Sequence, residues 1–316
     1  MNTSYSIKLS SDEARDRHGK GIETILGYAD LDKLKGKIAL FTNSDIKSLS
    51  DNELEAQIDE VLSVELTGGI KVSTTFSEYS LFHVGRRFYR VRELESANMP
   101  NNRLSDVSAY WNPPSVCVKR YGRLNKPGET LLYTALNPYT AMCEANLKSG
   151  TPFVLCVYES IRPLRFSWIG GTANYAFNGI DSRSAIDFLE TIRHFLVDEF
   201  TRVVPDGDES LYRITEIIAK KYYNSPNDNG WRYPSIKNNF EDNICFRSEH
   251  IKHNLKLVGA IIAVFNESGE IEPHKMTMTA KYIVVGSNMD KYFSYLSDDG
   301  EKHMRKLFPE FLMVQD

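Results

Sequence analysis

The stretch at residues 121–150, YGRLNKPGETLLYTALNPYTAMCEANLKSG, limits the fold of this chain more than any other part of it. The adjacent proline and glycine in NKPGE predict a turn, and the apolar run TLLYTAL predicts a short strand. Asn137 followed by Pro138 is typical of a helix N-terminus, and Gly150 is typical of the residue just beyond a helix. The stretch therefore predicts a turn, a strand and a helix of about three turns in close succession.

The predicted helix carries one carboxylate among apolar residues. Glu144 is flanked by Met142, Cys143 and Ala145. A charge that is partly removed from water in this way is costly unless a charged or hydrogen-bonding group answers it. Two interpretations stay open at this point. Glu144 either belongs to a functional site, or it lies at the rim of the helix and pairs with Lys148.

The rest of the chain indicates an α+β fold. Short apolar runs rich in β-branched and aromatic residues, separated by loops rich in asparagine, proline and glycine, predict strands after the N-terminal region. Two longer helices are predicted at about 183–204 and 209–224. We predict three regions, an N-terminal region at 1–78, a main domain at 79–290 and a C-terminal tail at 291–316.

The N-terminal region contains one strong helix pattern. The sequence around DNELEAQIDEVL predicts an acidic amphipathic helix that ends at the paired glycines further on. Its apolar stripe consists of Leu54, Ile58, Val61 and Leu62, and a stripe of this kind must pack on something. That something is either the main domain or another chain, and the sharp change of composition after the helix slightly favours a partner or a second copy of this chain. We expect this region to be dispensable for the chemistry.

Composition narrows the classes of partner and compartment. The chain has 316 residues, which suits roughly two domains, with 41% hydrophobic and 25% charged residues and a net charge of −4. Without a basic excess, neither nucleic acid nor an anionic membrane is a favoured partner. No apolar run approaches membrane-spanning length and no signal peptide is evident, so we expect a cytoplasmic protein. The four cysteines are expected to be reduced core residues: Cys117, Cys143, Cys156 and Cys245.

Common metal and nucleotide motifs are not evident in the sequence. His250 and His253 have the spacing of one helical face, but no third ligand accompanies them, so no metal site is predicted. No Walker-type or Rossmann glycine fingerprint occurs. Classical phosphate-cradling loops are therefore not expected.

Two further clusters carry polar side chains of interest. In GRRFYRVRE, strand alternation puts Tyr89 on one face and Phe88 and Arg90 on the other. An inward arginine suits a bidentate grip on phosphate, whereas the alternative is the solvated face of an edge strand. In GWRYPSIKNN, Ser235 either caps a turn or serves a site.

Taken in order, these clusters resemble the RES domain family, which is named for its Arg, Glu and Ser. Tyr133 follows Arg123 by ten residues and Glu144 follows Tyr133 by eleven, and this order and spacing is more specific than any single part. The resemblance covers about residues 80–270. The full series is Tyr89-Arg90, Gly122-Arg123-x-Asn125-x-Pro127-Gly128, Tyr133, Glu144 and Tyr233-Pro234-Ser235.

The resemblance implies a fold similar to the ADP-ribosyltransferase toxins, with NAD as the substrate and no further cofactor or metal. RES proteins are typically toxins of bacterial toxin–antitoxin pairs, which destroy NAD by hydrolysis or phosphorolysis and are inhibited by an Xre-like antitoxin. An antitoxin and a second copy of the chain are therefore the expected protein partners. The alternative is an ADP-ribosyltransferase that modifies a protein or a small molecule. Arginine-directed transferases commonly carry an acidic residue two positions before the catalytic glutamate, where this chain has Met142.

The resemblance also implies roles for six residues. Glu144, Arg123 and Tyr133 are the expected catalytic residues, and Glu144 would stabilise an oxocarbenium-like transition state. The expected NAD-binding residues are Tyr89, Arg90, Arg123, Tyr133 and Ser235, with the two arginines on the diphosphate. Tyr133 would pack against the nicotinamide or ribose, and Ser235 would hydrogen-bond the ribose or amide.

Two features depart from the family pattern. The family usually has an aromatic residue after the turn arginine, where this chain has Leu124. The stretch between Glu144 and Ser235 is longer than in compact members. These departures concern substrate placement and added contacts with a partner.

Overall fold

The computed structural model describes residues 11–75, 78–95, 106–238, 241–267, 276–286 and 289–311. The helices are α1 (Ser11–Leu26), α2 (Leu31–Thr42), α3 (Asp51–Leu62), α4 (Pro138–Glu144), α5 (Arg183–Thr201), α6 (Arg213–Tyr222), α7 (Ile251–Asn254) and α8 (Asp298–Leu307). The strands are β1 (Ser63–Glu65), β2 (Lys71–Ser73), β3 (Glu78–Phe82), β4 (Arg87–Glu93), β5 (Leu131–Ala135), β6 (Pro152–Ser160), β7 (Leu164–Trp168), β8 (Gly230–Pro234), β9 (Asp242–Arg247), β10 (Leu255–Glu267), β11 (Met276–Val285) and β12 (Lys291–Ser294). A large mixed sheet with flanking helices confirms the predicted α+β class. Within these described ranges, no helix combines the length and the apolar character needed to cross a membrane.

The chain divides into two compact units. The first comprises Met1–Glu78 and Ile169–Tyr223, and the second comprises Tyr79–Trp168 and Asn224–Asp316. Each unit is therefore built from two separate segments of the chain.

This division differs from the regions drawn from the sequence. A boundary near residue 78 occurs in both, but residues 169–223 belong to the first unit and not to the main domain at 79–290. The predicted C-terminal tail contributes β12 and α8 to the second unit. The sequence pattern could not show this, because well over a hundred residues of chain separate α5 and α6 from α2 and α3, with which they pack.

In the first unit, α3 is the acidic helix that the sequence predicts, although it ends earlier. Its N-terminus has a capping box, in which Ser50 Oγ accepts from Glu53 N at 3.3 Å and the Glu53 carboxylate accepts from Ser50 N at 2.9 Å. The helix ends at Leu62, and the chain continues into the antiparallel hairpin of β1 and β2. Gly68 and Gly69, with φ of 90° and 80°, lie in the hairpin connection and not at the helix end.

The apolar stripe of α3 is covered by the same chain. Leu54, Ile58, Val61 and Leu62 are all buried, with 1% exposure or less. α3 packs against α2 and α6, and α2 in turn packs against α5. The expectation that this stripe binds another chain is therefore wrong, because helices of the first unit already occupy it.

The second unit contains a ten-stranded sheet with the order β12-β11-β10-β6-β4-β5-β9-β8-β7-β3. β7 and β8 run parallel, and the other pairs whose register is described are antiparallel. β6, the nearly continuous apolar run, lies between β10 and β4. β4 lies between β6 and β5, so its arginines do not belong to an edge strand.

The two faces of this sheet carry separate apolar cores. Phe88 of β4 is buried in one core together with Phe246 of β9. Tyr89, the next residue, lies in the other core together with Ala141 and Met142 of α4. Because side chains of a strand alternate, we refer to the side of the sheet covered by α4 as the Tyr89 face and to the opposite side as the Phe88 face.

α4 begins as predicted but is shorter. Asn137 Oδ1 accepts from Thr140 N at 2.7 Å, and Pro138 is the first helical residue. Asn146 has a left-handed conformation, with φ of 51°, which stops the helix after 7 residues. Glu144 is thus the last residue of α4, and the prediction of about three turns with Glu144 in their interior is wrong.

The cysteines differ from one another in burial. Cys156 and Cys245 are buried as expected, and Cys143 is partly buried. Cys117 is exposed, so its assignment to the core is wrong. No disulfide bond joins any of these four described cysteines.

Candidate functional site

Glu144 is held by two side chains that lie about a hundred residues further along the chain. Ser235 Oγ donates to Glu144 Oε1 at 2.5 Å, and Asn243 Nδ2 donates to the same oxygen at 2.9 Å. Ser235 directly follows β8, and Asn243 lies in β9. Within the described part of the chain, no ion pair joins Glu144 to Lys148, and the partners of the carboxylate are Ser235 and Asn243 instead.

The carboxylate of Glu144 is fixed at one oxygen. Both hydrogen bonds end on Oε1, while Oε2 takes part in neither of them. The side chain is only partly buried, and it lies at the C-terminal end of α4, where the helix dipole places partial negative charge. A fixed negative charge that still reaches the surface is well suited to interact with a cationic group.

The hydroxyl of Ser235 is fully engaged. Ser235 is 1% exposed, and its Oγ accepts from Lys237 N at 3.2 Å and from Asn238 N at 3.0 Å. A serine hydroxyl has one proton to donate and two lone pairs, and here the proton goes to Glu144. Ser235 therefore caps a turn, as one of the two interpretations expected, and it also orients the Glu144 carboxylate.

A second contact fixes the turn after β8 against α4. Asn238 Nδ2 donates to Thr140 Oγ1 at 3.0 Å, and Thr140 is fully buried. The backbone of Ser235 also donates to Glu241 O at 3.0 Å. The position of Ser235 relative to Glu144 is thus set by contacts on both sides.

Tyr133 of β5 fixes the turn that carries Arg123. The Tyr133 hydroxyl donates to Asn125 Oδ1 at 2.8 Å and accepts from Leu124 N at 3.0 Å. Burial raises the pKa of Tyr133, so the hydroxyl keeps its proton at neutral pH. A Cβ atom at Gly122 would lie 2.4 Å from Asn125 Oδ1, which explains the glycine before the arginine.

Tyr133 and Glu144 lie on the same face of the sheet. In the pairing of β5 with β9, Ala135 is opposite Asn243, and Tyr133 is two residues before Ala135. Side chains two apart in a strand share a face, and Ala135 belongs to the core under α4. The Tyr89 face therefore carries Glu144, its donor Asn243 and the tyrosine that holds the turn of Arg123.

The structure does not bring Arg90 to Glu144. Arg90 follows Tyr89 in β4 and its side chain lies on the opposite face, where Nη1 donates to Trp111 O at 2.6 Å. Trp111 belongs to the same core as Phe88. In this arrangement Arg90 fixes the segment before residue 112.

Tyr89 lies on the same face as Glu144 but binds the C-terminal segment. Its hydroxyl donates to Glu310 Oε1 at 3.1 Å, and its ring packs edge-on against Phe311. Burial, together with the nearby Glu310 carboxylate, raises the pKa of Tyr89. Arg87 donates to the same carboxylate at 2.6 Å. Together the two side chains hold Glu310 of the C-terminal segment.

Asn243 was not predicted from the sequence as a partner of Glu144. It is buried, at 6% exposure, and its neighbours Ile244 and Cys245 are fully buried. An asparagine within the apolar run NICF is a buried polar group that needs a partner, and this is the signal that could have identified it. The partner is 99 residues away, so no local pattern could name Glu144.

All six residues predicted for the site lie in the second unit. Glu144 and Ser235 are in direct contact, and Tyr133 and its turn lie on the same face. Compared with known proteins, the chain finds no counterpart: no protein-family model matches it, and neither does any curated protein or solved structure.

Proposed function

We propose that this protein is a cytoplasmic enzyme that cleaves the nicotinamide–ribose bond of NAD, on a fold of the ADP-ribosyltransferase type. The observation that carries the proposal is the Glu144 carboxylate, held at Oε1 by Ser235 and Asn243. The resemblance of the Arg, Tyr, Glu and Ser series to RES toxins supports the same function. NAD is consumed as a substrate, so the proposal includes no separate cofactor and no metal.

Cleavage of the nicotinamide–ribose bond requires a carboxylate held in a fixed position, and it does not require a general acid. When the bond between ribose C1″ and the pyridinium nitrogen breaks, the electron pair goes to nitrogen and nicotinamide leaves as a neutral molecule. Positive charge then builds on the ribose ring, as in glycoside hydrolysis. Glu144 stabilises this charge more in the transition state than in the ground state, which is the condition for catalysis. No general acid is needed to expel the leaving group.

Water or phosphate is the proposed acceptor at C1″. The position where arginine-directed transferases commonly carry a second acid is Met142, which is 5% exposed and packed in the core under α4. Product analysis tests this choice. We expect ADP-ribose in water and, in phosphate buffer, ADP-ribose 1″-phosphate. Covalent labelling of a protein acceptor in place of these products would favour the transferase alternative.

An antitoxin of the Xre type is the proposed inhibitory partner, and this rests on the resemblance. Self-association is proposed on the same basis. Co-purification with the product of a neighbouring reading frame, followed by loss of NAD cleavage in the complex, would support the first of these. A neighbour that binds without changing the activity would contradict it.

Replacing Ser235 by alanine should lower NAD turnover by about 10- to 100-fold, because the change removes a charge-assisted hydrogen bond to Glu144. It should also destabilise the fold by about 1–3 kcal/mol, since the amides of Lys237 and Asn238 lose their acceptor. The comparison variant is Asn243→Ala, which removes the other donor and leaves the turn intact. Steady-state kinetics and thermal melting report both effects, and wild-type turnover in both variants would contradict the role of these donors.

Arg123→Ala should weaken NAD binding by about 10- to 100-fold, as expected for loss of one charge-assisted contact to phosphate. Lysine at this position should rescue only partly, because it lacks the planar fork. Arg90→Ala separates the two predicted arginines. If Arg90 acts through Trp111, its removal lowers the melting temperature more than the NAD affinity. Calorimetric titration with NAD decides, and an unchanged affinity in Arg123→Ala would refute its assignment.

A further inference from the structure

Another arginine, Arg247, lies on the same face as Glu144. β9 pairs with β5 so that Arg247 is opposite Leu131, and Asn243 is opposite Ala135. Asn243 and Arg247 are an even number of residues apart, so both side chains point to the Tyr89 face. The side chains between them that face the other way, Ile244 and Phe246, belong to the Phe88 core. Arg247 is thus aligned along β9 with the asparagine that binds Glu144.

The guanidinium group of Arg247 lies over an aromatic ring, and two of its nitrogens lack hydrogen bonds. Its Cζ lies 4.9 Å from the centre of the Trp231 ring. Nε and Nη2 are both buried and, among the described residues, neither has a hydrogen-bond partner. Burial lowers the pKa of this guanidinium, while the charges of Asp228 and Glu249 act in the opposite direction. Two buried donors without acceptors, on a side chain that is itself only partly buried, are costly for a protein to keep.

The buried carboxylate whose charge acts on Arg247, Asp228, is engaged with other groups. Asp228 is 6% exposed, and its Oδ1 accepts from Arg165 Nε at 2.6 Å. Its Oδ2 accepts a hydrogen bond from the hydroxyl of Ser167. Asp228 therefore contributes long-range attraction to Arg247 but no hydrogen bond, so Nε and Nη2 keep donors that the described residues do not use.

We propose that Arg247 binds the diphosphate group of the dinucleotide whose ribose lies at Glu144. This inference rests on the proposed function. Arginine presents a planar fork of donors that matches the oxygens of a phosphate, and the stacked Trp231 holds that fork in one orientation. A bound diphosphate would satisfy Nε and Nη2 together.

The spacing along β9 fits this ligand. Four residues of a strand span about 13 Å, which is the separation between the backbone positions of Asn243 and Arg247. The long side chain of Arg247 shortens the gap between the reacting ribose and the diphosphate that it carries. Arg90 cannot take this role from the Phe88 face, where its guanidinium binds Trp111 O. Arg247 is thus proposed, beside Arg123, as a cation that binds the diphosphate.

Titration of the purified full-length protein with ADP-ribose and with inorganic pyrophosphate tests the inference without relying on catalysis. Arg247→Gln is expected to lower the affinity of the protein for both ligands by about 10- to 100-fold. Arg247→Lys should be intermediate, because it keeps the charge and loses the fork. The matched control is Arg183→Gln, which removes the same charge from a side chain that is 85% exposed in the first unit and should leave both affinities unchanged.

Kinetics and melting separate binding from a merely structural role. With NAD as substrate, Arg247→Gln should raise KM and leave kcat close to the wild-type value, as loss of uniform binding does. A lower melting temperature with unchanged KM would instead assign Arg247 to stability and overturn the inference. Wild-type affinities in Arg247→Gln and Arg247→Lys would overturn it as well.

The two proposals fail in different ways. NAD cleavage with normal KM in Arg247→Gln removes this inference and leaves the proposed function intact. If the protein does not cleave NAD but binds pyrophosphate in a way that depends on Arg247, the anion site stands and the proposed function is contradicted. A protein that binds neither ligand and does not release nicotinamide from NAD overturns both.

Discussion

Glu144→Gln should reduce NAD turnover by about 100- to 10,000-fold, the loss that follows removal of a central electrostatic stabiliser. Glutamine keeps the shape of the side chain and an oxygen that can accept from Ser235 and Asn243. The variant therefore loses the negative charge and little of the geometry. Because the charge matters most when the ribose becomes cationic, kcat should fall while NAD affinity stays within a few-fold of the wild type.

Two measurements check this prediction. Steady-state nicotinamide release gives the change in kcat, and calorimetric titration with NAD gives the affinity. Glu129→Gln is a suitable control, since it neutralises a partly buried glutamate beside the turn of residues 126–129 and should leave kcat near the wild-type value. Near-normal turnover in Glu144→Gln would exclude Glu144 as the stabilising carboxylate.

A chain that begins at Phe76 should be insoluble or unfolded. The truncation removes α2 and α3, which pack against α5 and α6 in the first unit. It would expose residues such as Phe195, Ile214 and Ile218, which are at most 4% exposed in the intact chain. Burial of each such side chain contributes about 1.5–3 kcal/mol, and net stabilities of proteins are about 5–15 kcal/mol. Loss of several of them is therefore sufficient to unfold the first unit, and the exposed surface favours aggregation.

Point variants in the full-length chain test the same packing on a smaller scale. Leu54→Asp places a charge at a fully buried position of α3 and should lower the melting temperature strongly. Leu40→Asp makes the same change at a position of α2 that is 76% exposed and should have little effect. A soluble, well-folded chain that begins at Phe76, or equal melting of the two variants, would contradict the packing of α3 within this unit.

Local signals in the sequence were sufficient for much of the second unit. The strand at 131–135 and the start of α4 follow from residue types that act on their own neighbours, such as the cap at Asn137. Strand alternation also gave the opposite orientation of Tyr89 and Arg90 correctly. The contact between Glu144 and Ser235 was expected only through the resemblance, because 91 residues separate the two in the chain.

Other features depend on contacts that a local pattern does not contain. The stripe of α3 had to pack on something, but the sequence could not show that α6, more than a hundred residues later, covers it. The early end of α4 depends on the left-handed conformation of Asn146, a conformation that asparagine tolerates but does not require. Asn243 and Arg247 became candidates only when strand register placed them on one face with Tyr133.

Timed release of nicotinamide from NAD by the purified full-length protein is the most direct test of the proposed function. The assay is run with and without phosphate, and Glu144→Gln at the same concentration serves as the blank. We predict release proportional to the wild-type protein concentration, at least about 100-fold above the blank. Release at the blank rate by the wild type under both conditions, or equal release by the two proteins, would contradict NAD cleavage at Glu144.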